Sequence, residues 1–533
     1  MNAQSQGNTV QFILDGENFF HEFRDQLAAV RASAPAQNTY VRLAYWEAEH
    51  SLRLDTPTTG PTLETALKAV ADAGHRVELI LWQPASIDRR MDANLSQAVF
   101  NTNQETIRRL NGYRDNRIQA YFEVYKGWIA GTSNHQKMAI FSIAGHLRVL
   151  VGGINLASFY WDDHHHTLAA PYAPHAGGDG RSCHDTAVLL EGPATLDVER
   201  EWLRRWNKQV YFTPGNQPKA TLAQNAAAVN GATVNVLTTN SESWGGRSAD
   251  IQALLMQKIS RATRYVYLEN YAFCDPSLVW ALRTRLSQHR TLKVIVMLPH
   301  PGFGLQPFNY LARIAYAKLA LTNCVAFRTA NGGQVFRRDC QQWSISENVN
   351  AWSTGESMLS SVRNRWLESD SLSYRRPGDR AATTVPLADI TSFDGGVRFY
   401  TPMRRGAGGL DQIYIHSKMA LIDDQVAFVG TSNFSYRSMV YDGEISICVS
   451  DGPTVQNIRN TLFTHWGMNT ANVQNNWDME VRRFRTAGAH RVGVVSLDIG
   501  DFDRFPFQTA DGVGGFRNDA NNQQYRYMNY TFY

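Results

Sequence analysis

Residues 416–433 read HSKMALIDDQVAFVGTSN, and residues 135–155 read HQKMAIFSIAGHLRVLVGGIN. Each stretch holds His-x-Lys, an apolar run, a short turn, a second apolar run and Gly-x-x-Asn. Apolar, β-branched runs of this length bounded by turn residues are strand signals. Their recurrence in one chain predicts a fold built from a repeated unit. Alternate residues of a strand share a face, so His135 is expected beside Lys137 and His416 beside Lys418, with Gln136 and Ser417 turned away.

The correspondence extends outward from both stretches. DTAVLLEGP (185–193) matches GEISICVSDGP (443–453), and each is followed by a helical pattern ending in tryptophan, at 194–206 and 454–466. Upstream, YVRLAYW (40–46), a helical pattern at 62–74 and RVELILW (76–82) stand in the first copy. The second copy has helical patterns at 251–262 and 277–289 and the runs RYVYLEN (264–270) and LKVIVML (292–298). Strands alternating with helices of this length predict an α/β fold with a largely parallel sheet. We expect two similar α/β lobes, at 1–220 and 221–533, with YFTPGNQPK (211–219) as the Pro/Gly-containing join. Residues 331–395, rich in Ser, Arg, Asn and Gly, read as an insertion with a few helical turns, 171–182 as a loop, and 496–533 as an aromatic tail packed on the surface.

Composition narrows the function. The 533 residues are 43% hydrophobic and 19% charged, which suits a globular chain and excludes a mainly disordered one. A net charge of +4 gives no electrostatic footprint for non-specific nucleic-acid binding, so no nucleic-acid partner is expected. The five cysteines, Cys183, Cys274, Cys324, Cys340 and Cys448, form no CxxC pair and fit a thiol-reducing compartment. The opening residues lack the pattern of a secretory signal, and no 18-residue apolar run is present. A cytoplasmic location, or secretion by a signal-independent route, is the expectation. Any action on membranes would be from the surface.

The repeated motifs carry the chemistry. Together they would present two imidazoles, two ammonium groups and the carboxamides of Asn155 and Asn433. Cations and amide donors suit the non-bridging oxygens of a phosphodiester. One neutral imidazole can attack phosphorus and form a covalent intermediate. The other can protonate the leaving oxygen and then deprotonate the incoming alcohol or water. This scheme requires no cofactor and no metal. A catalytic histidine also needs a partner on its second nitrogen, and Asp185 and Glu444 stand at matching downstream positions. Asp162, Asp163, His164, His165 and His166, with His175 and His184, could bind a transition metal, but read first as an exposed loop by the site. Trp128, Tyr160 and Trp161 flank the first motif as candidates for an acyl groove.

HSKMALIDDQVAFVGTSNFSYRS followed by Glu444, and NHQKMAIF…VGGIN followed by HDTAVLLEGPA, resemble the paired signatures of the phospholipase D superfamily. The GGIN and EGPA blocks are most similar to its phosphatidyl-transferring branch, the bacterial phospholipases D and cardiolipin synthases. The resemblance covers about residues 10–220 and 230–470. It implies two lobes about a pseudo-two-fold axis, with the active site at their interface. It further implies a phosphohistidine on His135, acid/base work by His416, and phosphoryl binding by Lys137, Lys418, Asn155 and Asn433. Asp185 and Glu444 would orient the imidazoles, with Gly153, Gly430, Ser432 and Asp423 supporting the motifs. The substrate implied is a glycerophospholipid at a membrane surface, hydrolysed or transphosphatidylated. An immunity or delivery protein would be a partner if the chain is a secreted effector. Two other readings are a nuclease-type phosphodiesterase and a catalytically impaired scaffold. The sequence departs from the family at Ser142, where the first motif usually carries an acidic residue, and at a Lys137–Gly152 spacing three residues longer than Lys418–Gly430.

Overall fold

The computed structural model describes residues 4–84, 95–125, 132–166, 183–209, 216–224, 231–242, 247–289, 291–300, 319, 344–345, 371–375, 380–381, 383–386, 396–406, 409–468, 470 and 492–497. The first half runs β1 (Ser5–Leu14), α1 (Asp15–Ala32), β2 (Tyr40–Tyr45), α2 (Leu63–Asp72), β3 (Arg76–Gln83), α3 (Leu95–Leu110), β4 (Ile118–Val124), β5 (Met138–Ile143), β6 (His146–Gly152), β7 (Cys183–His184), β8 (Thr186–Glu191) and α4 (Thr195–Lys208). The second runs β9 (Ala232–Asn240), α5 (Asp250–Ile259), β10 (Tyr265–Glu269), α6 (Pro276–Gln288), β11 (Lys293–Met297), β12 (Val397–Gly406), β13 (Tyr414–Ile415), β14 (Met419–Ile422), β15 (Val426–Gly430), β16 (Glu444–Val449), α7 (Gly452–His465) and β17 (Val492–Leu497).

Pairing repeats from one half to the other. In the first sheet β4, β3 and β2 are parallel, and β5, β6, β8 and β1 follow antiparallel in that order. In the second, β12, β11 and β10 are parallel, and β14, β15, β16 and β9 follow antiparallel. The two sheets join edge to edge where Ser5 and Asn8 of β1 pair with Val234 and Ala232 of β9. The expected α/β class is observed, but the sheet, flanked by helices, is mixed rather than largely parallel: β2–β4 and β10–β12 pair in parallel and the remaining strands of each sheet pair antiparallel.

Strand alternation explains the layers. In β2, Val41 and Leu43 face a core with Phe19, Phe20 and Phe23 of α1 and Leu67 of α2, while Ala44 faces the opposite side. In β10, Val266 and Leu268 meet Leu254 of α5 and Leu282 of α6, while Tyr265 and Tyr267 turn inward. The inward faces of both sheets share one core with Trp202 and Trp206 of α4, Leu462 of α7 and the adjoining Trp466. Strands covered on both faces need no polar alternation, which is why they read as continuous apolar runs. Helix starts are set locally. Asp275 accepts from Leu278 N at 2.7 Å, and Asp451 from Thr454 N at 3.0 Å, each with proline in the first turn.

Some expectations change. His135 to Lys137 and His416 to Lys418 lie just before β5 and β14 rather than within them. The described residues of the 331–395 segment include a small antiparallel sheet of Ser344–Ile345, Ser371–Arg375 and Thr383–Pro386, and, apart from 380–381, the rest of that segment, with the few helical turns expected there, lies outside the described residues. The 171–182 loop and all of the tail beyond 497 lie outside the described residues. No described helix is long and apolar enough to cross a membrane. Cys183, Cys274 and Cys448 are buried thiols.

Candidate active site

The two His-x-Lys segments meet at the seam between the halves. Asn134 bridges Gly443, and His135 N donates to Gly443 O at 2.8 Å. The mirror arrangement pairs β13 with β7, and His416 N donates to His184 O at 2.8 Å. Each histidine is thereby carried to the residue preceding the other half's carboxylate. His135 Nδ1 lies 3.1 and 3.2 Å from the Glu444 carboxylate oxygens and 3.1 Å from Thr431 O. His416 Nδ1 lies 2.7 Å from Asp185 Oδ2. Acceptors on Nδ1 fix the proton there and leave Nε2 as the reactive nitrogen. The partners cross between halves.

Gln136 and Ser417 turn away as expected. Gln136 Nε2 donates to Glu201 Oε1 at 2.7 Å and to Glu444 O at 3.1 Å, and Ser417 Oγ donates to Glu269. Lys137 Nζ donates to His135 O at 2.8 Å, and Lys418 Nζ donates to His416 O. Asn155 is already engaged, donating to Tyr160 Oη at 2.9 Å and accepting from Glu47 N at 3.3 Å. Asn433 Oδ1 is buried and finds no hydrogen-bond partner among the described residues. Ser432 Oγ is directed to Ser438 O at 3.5 Å and Met439 Sδ at 3.7 Å, inside the packing.

Glycine leaves room for the Asp185 carboxylate in the first motif and for the neighbouring β16 backbone in the second. A Cβ on Gly153 would stand 2.1 Å from Asp185 Oδ1, and one on Gly430 2.4 Å from Ile445 O. Thr431, at the position matching Gly153, instead gives its hydroxyl to Glu444 Oε2 at 2.5 Å. The repeat is thus asymmetric at the residue that touches each carboxylate.

Asp423 and Ser142 occupy matching positions and do the same job differently. Asp423, in the left-handed region at φ 56°, accepts from the backbone N of Thr263, Arg264 and Tyr265 at 2.6–2.8 Å. Ser142 Oγ donates to Asn38 O at 2.7 Å in the corresponding turn. Neither side chain contacts an imidazole, so the missing acidic residue alters a strand entry. Asp423→Ala is expected to cost about 1–3 kcal/mol through the loss of hydrogen bonds from three amides to a charged carboxylate. The urea midpoint should fall while the folded fraction keeps its turnover; an unchanged midpoint would contradict this role.

Burial dominates the electrostatics. It drives His135 well below the usual histidine range, helped by Lys137, Lys418 and Arg437, and drives His416 down to about 3, helped by Lys418 and opposed by Asp185. Burial also lowers Lys137 to about 7 and Lys418 to about 8, with the nearby Glu444 and Asp185 opposing it. Glu444 is raised to about 7 by burial. Asp185 is held below its usual range, because His416, Lys418 and the Thr186 amide together outweigh its burial. Two neutral imidazoles thus stand beside two lysines of weakened basicity.

Sequence reading named Tyr160 but missed Trp46 and Tyr271. Trp46 stands edge-on to His135 at 6.1 Å, and Tyr271 stacks on His416 at 6.0 Å. Counted along β2 and β10, these two residues occupy matching repeat positions, a signal that alignment of the copies contains. Tyr160 at 5.0 Å and Tyr414 at 6.2 Å complete the surroundings of His416. Trp161 belongs to the core instead, against Phe20, with its Nε1 on Arg53 O at 2.7 Å. Trp128 and His175 lie outside the described residues. His164 and His165 are exposed as expected, but Asp162 and His166 are buried.

The family description "Cardiolipin synthase, PLD-like domain" matches residues 381–466. Phospholipase D A of Dictyostelium discoideum is 21% identical over 287 residues, covering 50% of this chain and 18% of that protein. Phospholipase D zeta 2 of Arabidopsis thaliana is 34% identical over 76 residues, 14% of this chain and 7% of that protein. The chain thus spans under a fifth of either relative. Both are eukaryotic, whereas the motif blocks resemble a bacterial branch. The structure of phosphatidylserine synthase from Haemophilus influenzae Rd KW20 is similar with a TM-score of 0.42 and 11% identity, over 86% of each chain.

Proposed function

The chain belongs to the phospholipase D superfamily, and on that premise we propose that it is a phosphodiesterase acting on glycerophospholipids through a phosphohistidine. The observation that carries the reading is the reciprocal pairing, His135 on Glu444 and His416 on Asp185. His135 Nε2 attacks phosphorus, and the bond from phosphorus to the headgroup oxygen breaks. His416 Nε2–H gives its proton to that oxygen. Water or an alcohol then gives a proton back to His416 and attacks phosphorus, breaking the P–N bond and freeing His135. The bound phosphodiester anion is what allows His416 to hold its proton, aided by ionised Asp185. Lys137, Lys418, Asn155 and Asn433 are assigned to the phosphoryl oxygens. Asn155 must release Tyr160 or use its second N–H to do so.

The aromatic surroundings of His416 and the small net charge support a lipid rather than a nucleic acid. The test is mass spectrometry of products from mixed-lipid vesicles incubated with ethanol. Phosphatidic acid indicates hydrolysis and phosphatidylethanol indicates transfer. Neither product, together with cleavage of labelled DNA, would replace the lipid reading with a nuclease.

Activity should also depend on pH in a defined direction. In the free enzyme burial brings Lys137 down to about 7 and Lys418 down to about 8, so cationic charge disappears as pH rises. kcat/KM is expected to fall through pH 7–8, because it reports the free enzyme. The kcat limb should lie at higher pH, since the bound anion restores both ammonium groups. A kcat/KM flat from pH 6 to 9 would exclude a requirement for the charged lysines.

A further inference from the structure

Asp15, His166, His184 and His465 converge away from the two catalytic imidazoles, with one donor atom of each inside a 4.8 Å cluster. Asp15 opens α1, His184 ends β7, His465 ends α7, and His166 closes the histidine-rich turn. His166 Nε2 and His465 Nε2 face each other at 3.2 Å. His184 Nδ1 lies 2.7 Å from Asp15 Oδ1, and Asp15 Oδ2 lies 3.7 Å from His465 Nε2 and 3.9 Å from His166 Nε2. Tetrahedral zinc with bonds of about 2.0–2.1 Å needs donor separations of about 3.3–3.4 Å, within the spread of these values.

The second nitrogens are held as metal-bound histidines hold theirs. His166 Nδ1 lies 2.7 Å from Asp162 Oδ2, and His184 Nε2 lies 2.7 Å from Glu269 Oε1. Carboxylates in that position fix the tautomer and make the other nitrogen a better ligand. Two further observations point to an occupant. The Asp15 oxygens and both His184 nitrogens are fully buried, and their close contacts lack hydrogen-bond alignment. Asp15 and His166 are also both in left-handed backbone, at φ 61° and 52°, conformations that persist only where the surroundings impose them.

We propose that Asp15, His166, His184 and His465 form a structural zinc site that clamps the two halves together. Three imidazoles and one carboxylate suit zinc, and four protein donors leave no position open for substrate. Asp15, His166 and His184 come from the first half and His465 from the second. The clamp adjoins the catalytic seam: Asp15 N donates to Asp185 O at 2.9 Å, and His184 O receives His416 N. The ion would fix the backbone on which Asp185 and His416 sit. This is independent of which phosphodiester the enzyme cleaves.

The test is elemental analysis of full-length protein purified without chelator from zinc-supplemented medium. About one zinc per chain is expected in the wild type, and almost none in His465→Ala or Asp15→Asn. Cobalt in place of zinc should give the intense visible bands of a tetrahedral site. The unfolding temperature should drop by about 5 °C or more on metal removal and recover with zinc alone. If the variants fail to fold, wild-type metal content and the cobalt spectrum still decide. Zinc-free wild type whose unfolding temperature does not respond to added zinc would overturn the site, leaving a proton-bridged ion-pair cluster.

Discussion

His135→Ala and His416→Ala are each expected to lower lipid turnover by about 10³-fold or more, because each imidazole serves a step the other cannot perform. The two losses should differ in kind. A p-nitrophenyl phosphodiester has a leaving group that departs without a proton. With it, His416→Ala should still form the phosphohistidine and release one equivalent of nitrophenol in a burst, then stall, because no base activates water. His135→Ala should give no burst and no acid-labile phosphate on the protein. The opposite pattern would exchange the two roles. Most of the lipid activity surviving in either variant would remove the paired-histidine mechanism altogether.

The second large effect concerns the crossed carboxylates. Asp185→Asn is expected to cut kcat by about 10²- to 10⁴-fold with a much smaller change in KM, since a neutral amide cannot hold the His416 imidazolium that the acid step needs. The 2.7 Å contact is the whole basis of that positioning. Gly153→Ala should reproduce much of the defect without touching charge, because the new methyl group falls 2.1 Å from Asp185 Oδ1 and pushes the carboxylate off the ring. The matching Glu444→Gln should be milder, because Thr431 O also accepts from His135 Nδ1. Kinetics in which Asp185→Asn raises KM alone would reassign Asp185 from positioning to substrate binding.

Legibility followed the range of the interaction. The runs 76–82, 292–298 and 185–193 became β3, β11 and β8 nearly to the residue, because strand period and turn chemistry are local. The helices at 194–206 and 454–466 began within two residues of expectation, the second at its Asp451 cap. The long α1 went unread: its three phenylalanines resemble a strand until the core they face is known. The His-x-Lys segments read as part of their strands because apolar runs follow them, yet their backbones pair across the seam instead.

The sequence by itself determined that the chain is a doubled α/β unit and that each copy carries an imidazole, an ammonium group, a carboxamide and a carboxylate. Only the tertiary structure decided which carboxylate serves which histidine. Glu444 reaches back 309 residues to His135, and His416 reaches back 231 residues to Asp185. The same holds for the buried cluster of Asp15, His166, His184 and His465, drawn from four separate elements. Periodicity encodes which side of a strand a residue faces, but nothing in it records which other strand will lie opposite. That is settled when the two sheets bury their inward faces on one core.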